Sequence, residues 1–181
     1  MAEKLVVVSD MWGTQKGLWI TSYLGYLQQY FDIEFYDSRE LAQLEGDFAS
    51  ADEIYAAFID GGMDSAVSQL LLKEQTESHY LTFCAGGTIT WHAALKGLPV
   101  KSLYAVSPID LEDQSEGPDC PVRVLFGEND LKVSGTEWMI QTGAQVETIP
   151  NFGHDMYSDE KIIQKVCLDL LDLVLNKHFE V

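Results

Sequence analysis

Three side chains that together could carry out nucleophilic catalysis follow three apolar stretches of the sequence. Cys84 ends the stretch HYLTFC, Asp130 ends FGEND, and His154 lies within NFGHDMY. A thiolate can attack a carbonyl carbon, an imidazole can exchange the proton of the thiol, and a carboxylate can orient the imidazole. These residue types predict a catalytic cysteine, provided that the fold brings them together.

Short apolar stretches alternate with segments of helical spacing along the chain, which is typical of an α/β fold. The predicted strands cover residues 4–10, 32–38, 79–84, 100–107, 122–128 and 144–150. The predicted helices cover residues 17–30, 86–96, 135–141 and 158–176, and a further helical segment at 49–75 is interrupted at Gly61 and Gly62. Units of this kind have right-handed crossovers, so we expect a mostly parallel sheet with helices on both faces.

Cys84 lies where the third predicted strand turns directly into a helix. Such a turn needs small residues close to its apex, and Gly86 and Gly87 meet that need. The N-terminus of the following helix would stabilise a thiolate through its N–H groups and its dipole. Ligands of open α/β sheets bind beyond the carboxyl ends of the strands, where Asp130 and His154 are also expected.

The order of nucleophile, acid and base, each at a strand end, resembles the α/β-hydrolase superfamily. TFCAGG stands where that family has its G-x-S-x-G nucleophile elbow, FGEND where a loop supplies the acid, and PNFGHDMY where a Gly-His turn supplies the base. A cysteine at the elbow resembles dienelactone hydrolases, and the short chain without a cap resembles compact esterases and thioesterases. The length of 181 residues, without a linker-like stretch, predicts one domain over residues 1–181. The resemblance implies a three-layer α/β sandwich, whose six-stranded, mostly parallel sheet has the order 2-1-3-4-5-6.

The resemblance also implies where the oxyanion of a tetrahedral intermediate would bind. One donor is the backbone N–H of Ala85, which follows the nucleophile, and the other is an N–H in the loop after the first strand, for which Trp12 is the candidate. The family has a His-Gly pair before this position, whereas this chain has Asp10 and Met11. Thr82 stands where the elbow usually has glycine, so the turn is bulkier on that side.

Two predicted loops supply candidate side chains for a substrate pocket. Met11 lies in the loop after the first strand, and Met156 and Tyr157 follow His154. Both loops would face the site from the carboxyl end of the sheet. We therefore predict that Met11, Met156 and Tyr157 line the pocket.

His154 is the predicted base among the 4 histidines of the chain. His79 stands next to a strand and His178 near the C-terminus, and both are expected to be solvated. His92 lies in the helix after Cys84, about two turns away. The position of His154 in a strand-end turn therefore favours it.

Asp130 is the predicted acid, and Glu128 and Asp155 are its alternatives. Glu128 lies in the same loop as Asp130, and Asp155 directly follows His154. Adjacent residues rarely orient each other's side chains, which favours Asp130 over Asp155.

The 3 cysteines of the chain include no C-x-x-C pair, which disfavours a disulfide framework and a structural metal site. We expect Cys167 to be a small apolar residue of the last helix. Cys120 precedes Pro121 at the entrance to a strand, far from the strand ends that would carry the site. No metal and no cofactor is expected.

The charge of the chain restricts its partners. With 11 Lys and Arg against 29 Asp and Glu, the formal charge is −18, which repels the phosphates of nucleic acids and anionic membrane surfaces. The N-terminus has no apolar region of the kind found in signal peptides, and no stretch has the length of a membrane span. We therefore expect a cytoplasmic protein that acts on a small molecule.

Three hypotheses about function follow. The first is a hydrolase of carboxylic esters or thioesters that forms an acyl intermediate on Cys84. The second is a binding or redox-sensing protein that keeps the hydrolase architecture with little or no activity, as the departures at Thr82 and Asp10 indicate. The third is a flavodoxin-like FMN carrier, because VVVSDMWGTQKG is similar to the hydroxyl-rich loop that holds the FMN phosphate.

Overall fold

The six predicted strands form one parallel sheet. The computed structural model describes residues 1–130 and 135–175. Its strands are β1 (Glu3–Val8), β2 (Phe31–Tyr36), β3 (Ser78–Phe83), β4 (Val100–Val106), β5 (Val122–Gly127) and β6 (Gln145–Ile149). They are ordered β2-β1-β3-β4-β5-β6, and neighbouring strands are parallel. The predicted sheet and its strand order are confirmed.

Two groups of helices surround the sheet. The helices of the described part of the chain are α1 (Ile20–Leu27), α2 (Ser38–Leu41), α3 (Ala51–Ala57), α4 (Met63–Lys73), α5 (Ala85–Leu95), α6 (Thr136–Thr142) and α7 (Glu160–Leu175). α1 packs against α7, whereas α4 packs against α2 and α5. Gly61, in a π-helical turn between α3 and α4, has a φ of +94°, so the predicted interruption of this segment is confirmed.

α1 and α7 begin later than the sequence pattern predicts, and each is preceded by a 3-10 turn. Residues Gly13–Lys16 form a 3-10 turn before α1, and His154–Ser158 form another before α7. The predicted helix end at Asn176 and the predicted solvation of His178 concern positions outside the described residues. Within those residues, no helix has both the length and the apolar character needed to cross a bilayer.

The central strands form the core. Four consecutive apolar residues of β1, from Leu5 to Val8, are fully buried, as expected for a strand covered on both faces. Phe83, the last residue of β3, packs against Trp19 and Tyr23, with ring centroids 4.7 and 4.8 Å apart. These contacts hold α1 beside the strand that leads to Cys84. Cys167 is buried on α7, as predicted.

The prediction that His79 is solvated is wrong. His79 is buried in β3, where its Nδ1 lies 2.6 Å from Ser102 Oγ and its Nε2 lies 2.9 Å from Glu3 Oε2. Because β3 lies between β1 and β4, even its first residues are covered by neighbouring strands. His79 lies five residues before Cys84, which places it about 16 Å from the carboxyl end of the strand.

Candidate active site

Cys84 occupies a sharp turn between β3 and α5. Its φ of +50° and ψ of −120° lie outside the regions that L-residues usually occupy, and such a conformation costs about 1–3 kcal/mol. The neighbouring strand holds the turn in place, because the Cys84 N–H donates to the carbonyl oxygen of Val106 at 3.0 Å. The predicted strand-to-helix turn is therefore present, with Cys84 at its apex and Ala85 as the first residue of α5.

Gly86 lets β1 approach the elbow closely. A Cβ atom at Gly86 would lie 2.5 Å from the carbonyl oxygens of both Val8 and Ser9, which is closer than a side-chain carbon can approach. Only glycine fits here without a shift of the backbone. As a result, the loop that follows β1 starts directly beside the first turn of α5.

Gly87 leaves room for the side chain of Thr82 in the turn at Cys84. Thr82 is fully buried, and its Oγ1 donates a long hydrogen bond to the carbonyl oxygen of Tyr104 at 3.4 Å. This Oγ1 lies 3.2 Å from the position that a Cβ atom of Gly87 would take. The extra atoms of Thr82 therefore fill the space left by the missing side chain of Gly87, and the turn keeps its geometry.

His154 and Asp130 are in contact. His154 Nδ1 lies 3.0 Å from Asp130 Oδ2. The backbone brings the two loops together, because the Asn129 N–H donates to the carbonyl oxygen of Phe152 at 2.9 Å. A Cβ atom at Gly127 would lie 2.4 Å from the same oxygen, so the end of β5 packs tightly against the segment that leads to His154.

The two alternative acids are placed differently. Asp155 is exposed, and Glu128 is exposed and accepts a hydrogen bond from the Asn151 N–H at 2.9 Å. Asp130 is the carboxylate that contacts the imidazole, and its side chain is buried. Water screens the charge of a buried carboxylate less than that of an exposed one.

The environment of His154 favours its protonated form. Burial alone would lower the pKa of His154, but hydrogen-bond and charge interactions with Asp130 and Cys84 raise this pKa to about 10. His154 interacts with Asp130 and with Cys84, which is the arrangement that a cysteine–histidine pair needs for nucleophilic catalysis. The structure thus places Cys84, His154 and Asp130 in one interacting set.

The loop after β1 differs from what the sequence predicts. The Trp12 N–H, predicted as an oxyanion donor, donates to Asp10 Oδ1 at 3.1 Å, and the Thr14 N–H donates to Asp37 Oδ2 at 2.8 Å. A phosphate bound to this loop would meet both carboxylates, which disfavours the FMN hypothesis. Ala85 begins α5, where helix geometry supplies no acceptor for its N–H.

Asp10 is a site residue whose role the sequence pattern does not indicate. It is only 3% exposed, and its Oδ2 accepts a hydrogen bond from the Tyr157 hydroxyl at 3.0 Å. Burial raises the pKa of Asp10 to about 6, although hydrogen bonds from Tyr157 and from backbone N–H groups, and the charge of His154, oppose the increase. The signal in the sequence is an acidic residue that stands directly after a buried strand.

The predicted pocket residues differ in exposure. Met156 and Tyr157 are buried, whereas Met11 is half-buried. The Tyr157 ring lies 6.1 Å from the His154 ring and 5.6 Å from that of Phe83, measured between centroids. Tyr157 therefore packs between the imidazole and the end of β3.

Solved structures share this architecture. A hydrolase-like protein of the alpha/beta superfamily from Xanthomonas campestris aligns with a TM-score of 0.68 and 14% identity, over 96% of this chain and 99% of its own. A dienelactone hydrolase-like protein from Klebsiella pneumoniae aligns with a TM-score of 0.67 and 18% identity, over 94% of this chain and 85% of its own. Naproxen esterase from Bacillus subtilis aligns with a TM-score of 0.60 and 13% identity, over 96% of this chain and 84% of its own. The chain has the α/β-hydrolase fold.

The likeness to these proteins is structural. No protein-family model matches the sequence, and no curated protein matches it. Within the α/β-hydrolase fold, the carboxyl ends of the strands are where Cys84, Asp130 and His154 converge.

Proposed function

We propose that this protein hydrolyses carboxylic esters or thioesters of small molecules through an acyl intermediate on Cys84. The observation that carries this proposal is the strained turn that presents Cys84 beside a His154 imidazole held by Asp130 at 3.0 Å. The structural neighbours described as hydrolases and as an esterase support the same class of reaction.

The first half of the reaction forms the acyl-enzyme. The Cys84 thiolate attacks the carbonyl carbon, and the carbonyl oxygen becomes an oxyanion that accepts hydrogen bonds from the N–H groups of Ala85 and Trp12. When the intermediate collapses, the bond to the alcohol or thiol breaks. The leaving group takes the proton of the His154 imidazolium and departs.

The second half releases the acid. Neutral His154 removes a proton from water, and the oxygen of that water attacks the acyl carbon. Collapse of this second intermediate breaks the C–S bond, which returns Cys84 as a thiolate beside protonated His154. Asp130 orients the imidazole throughout and stabilises its charge, because Oδ2 accepts the hydrogen bond of Nδ1–H.

The nucleophile favours particular leaving groups. A thiolate attached to the acyl carbon is itself a good leaving group, so it is expelled in preference to an amine of an amide substrate. The leaving groups of thioesters and activated esters are stable as anions, so these compounds are the expected substrates.

The proposal is tested by hydrolysis of short p-nitrophenyl esters and acyl-CoA thioesters. We expect wild-type protein to be active and Cys84→Ala and His154→Ala to show only background rates. Cys120→Ala is a matched control, because it removes a half-buried thiol that lies before β5 and outside the site. Mass spectrometry of the acylated wild-type protein should locate the acyl group on Cys84. Equal rates in wild-type protein and Cys84→Ala would contradict the proposal.

A second candidate function follows from the burial of the nucleophile. Cys84 is 1% exposed, and the Trp12 N–H is already bound to Asp10. Both features favour a binding or redox-sensing protein with weak turnover. Alkylation of Cys84 by iodoacetamide distinguishes the two, because a thiolate in an accessible site reacts faster than a free thiol near neutral pH. If iodoacetamide reacts with Cys84 in the folded protein more slowly than with a free thiol, the second candidate function is favoured.

A further inference from the structure

Asp10 lies at the edge of the proposed oxyanion site, and the fold fixes its backbone there. The preceding residue, Ser9, is held by α2: the Ser38 N–H donates to Ser9 Oγ at 2.9 Å, and Ser38 Oγ donates to the Ser9 carbonyl oxygen at 2.6 Å. The Ser9 carbonyl oxygen also lies against Gly86 in the first turn of α5. Asp10 is therefore placed beside the elbow by contacts from two elements.

Both carboxylate oxygens of Asp10 have partners in the site. Oδ1 accepts a hydrogen bond from the Trp12 N–H at 3.1 Å, and Oδ2 accepts one from the Tyr157 hydroxyl at 3.0 Å. Tyr157 belongs to the same 3-10 turn as His154. Asp10 thus connects the loop of the proposed oxyanion donor with the turn that carries the proposed base.

The oxyanion of a tetrahedral intermediate would compete with Asp10. A carboxylate oxygen and an oxyanion are both negatively charged acceptors, and the Trp12 N–H that would bind the oxyanion already binds the carboxylate. Two negative charges at one buried donor repel each other strongly. A hydrogen bond to an ionised acceptor is also about twice as strong as one to a neutral acceptor, so neutral Asp10 releases the N–H more readily.

We propose that Asp10 controls access to the oxyanion site: its ionised carboxylate holds the Trp12 N–H, and its neutral form releases that N–H to the carbonyl oxygen of the substrate. This inference rests on the proposed hydrolase function. It assigns to Asp10 a role in the pH dependence of the reaction and leaves the nucleophile, base and acid unchanged.

Several ionisable groups surround Asp10. Tyr157 and His154 face it from the 3-10 turn, and Cys84 lies at the elbow. Asp37, which follows β2, binds the next part of the loop through the Thr14 N–H. Among these groups, protonated His154 favours ionised Asp10, whereas burial opposes ionisation and raises the pKa of Asp10 to about 6.

The expected pH dependence follows from these groups. Asp10 is neutral below its pKa and ionised above it, so the proposed active form is lost as the pH rises through about 6. Between pH 5 and pH 7 the neutral fraction falls by about 10-fold. The ratio kcat/KM of wild-type protein should fall by the same factor.

The test measures kcat/KM for p-nitrophenyl acetate from pH 4.5 to 8.5, with the rates of Cys84→Ala subtracted at each pH. Asp10→Asn cannot ionise at this position, so we expect its kcat/KM not to fall above pH 6. At pH 7.5 its kcat/KM should exceed that of wild-type protein by about 10-fold or more. Tyr157→Phe removes a hydrogen bond that stabilises ionised Asp10, so in this variant the fall in kcat/KM should occur at higher pH.

The outcomes separate this inference from the proposed function. The inference is overturned, and Asp10 has a purely structural role, if Asp10→Asn lowers kcat/KM by the same factor at every pH. It is also overturned if Tyr157→Phe leaves the pH midpoint of the fall in kcat/KM unchanged. In either case the proposed function still stands as long as Cys84→Ala is inactive. If Cys84→Ala is as active as wild-type protein, both proposals fail.

Discussion

The burial of Asp10 predicts how the stability of the protein depends on pH. Its pKa is raised from 3.8 to about 6, mainly by burial. A shift of about two units corresponds to about 3 kcal/mol, since one unit is about 1.4 kcal/mol. The carboxyl group ionises near pH 4 in the unfolded chain and near pH 6 in the folded protein. Its contribution to the free energy of unfolding is therefore full below pH 4 and is lost between pH 4 and 6.

Asp10→Asn removes this dependence. The side chain of asparagine has nearly the same shape as that of aspartate, but it has no charge to bury. The free energy of unfolding of Asp10→Asn minus that of wild-type protein should therefore increase by about 2–3 kcal/mol from pH 4 to pH 7.

The measurement is urea denaturation followed by tryptophan fluorescence at unit intervals between pH 4 and 7. Ionisable groups that do not interact with Asp10 contribute equally to both proteins, so their contributions cancel in the difference. Asp155→Asn, which neutralises an exposed carboxylate near the same site, controls for the change in net charge. A difference between Asp10→Asn and wild-type protein that stays constant across this range would refute the argument from burial.

Three further substitutions test how the site is held together. Gly86→Ala places a Cβ atom 2.5 Å from two carbonyl oxygens of β1, and we expect a loss of about 1–3 kcal/mol in the free energy of unfolding, measured in urea. Tyr23→Phe removes the hydroxyl that donates to the Tyr157 carbonyl oxygen at 2.7 Å, which should cost about 1–3 kcal/mol and lower the Tm by several degrees. Asp130→Asn should lower kcat by about 100-fold or more and lower the pKa of His154, measured by NMR titration, because it removes the negative partner of the imidazole. Unchanged values would show that the corresponding contact contributes nothing.

Much of the architecture follows from local patterns in the sequence. Continuous apolar runs such as that of β1 predict buried parallel strands, and the alternation with helical spacing predicts the crossovers. The turn at Cys84 is also local, because a buried strand, a cysteine and two glycines stand within a few residues of each other. These features depend on neighbouring residues, which is why the sequence reveals them.

Contacts between distant parts of the chain could not be predicted in this way. His79 is buried because β1 and β4 lie on either side of β3, and periodicity does not show which residues of a strand are covered at its amino end. The compensation between Thr82 and Gly87 depends on how closely α5 packs against its strand. Such distances are set by packing.

The same distinction applies to the proposed site. The strand pattern predicts a cysteine, an aspartate and a histidine at strand ends. That Asp10 accepts hydrogen bonds from both the Trp12 N–H and the Tyr157 hydroxyl becomes visible in the folded chain. Asp10 and Tyr157 are 147 residues apart in the sequence. They are in contact because the loop after β1 and the turn after β6 lie at the same edge of the sheet. The raised pKa of Asp10 arises from that burial, which no local pattern encodes.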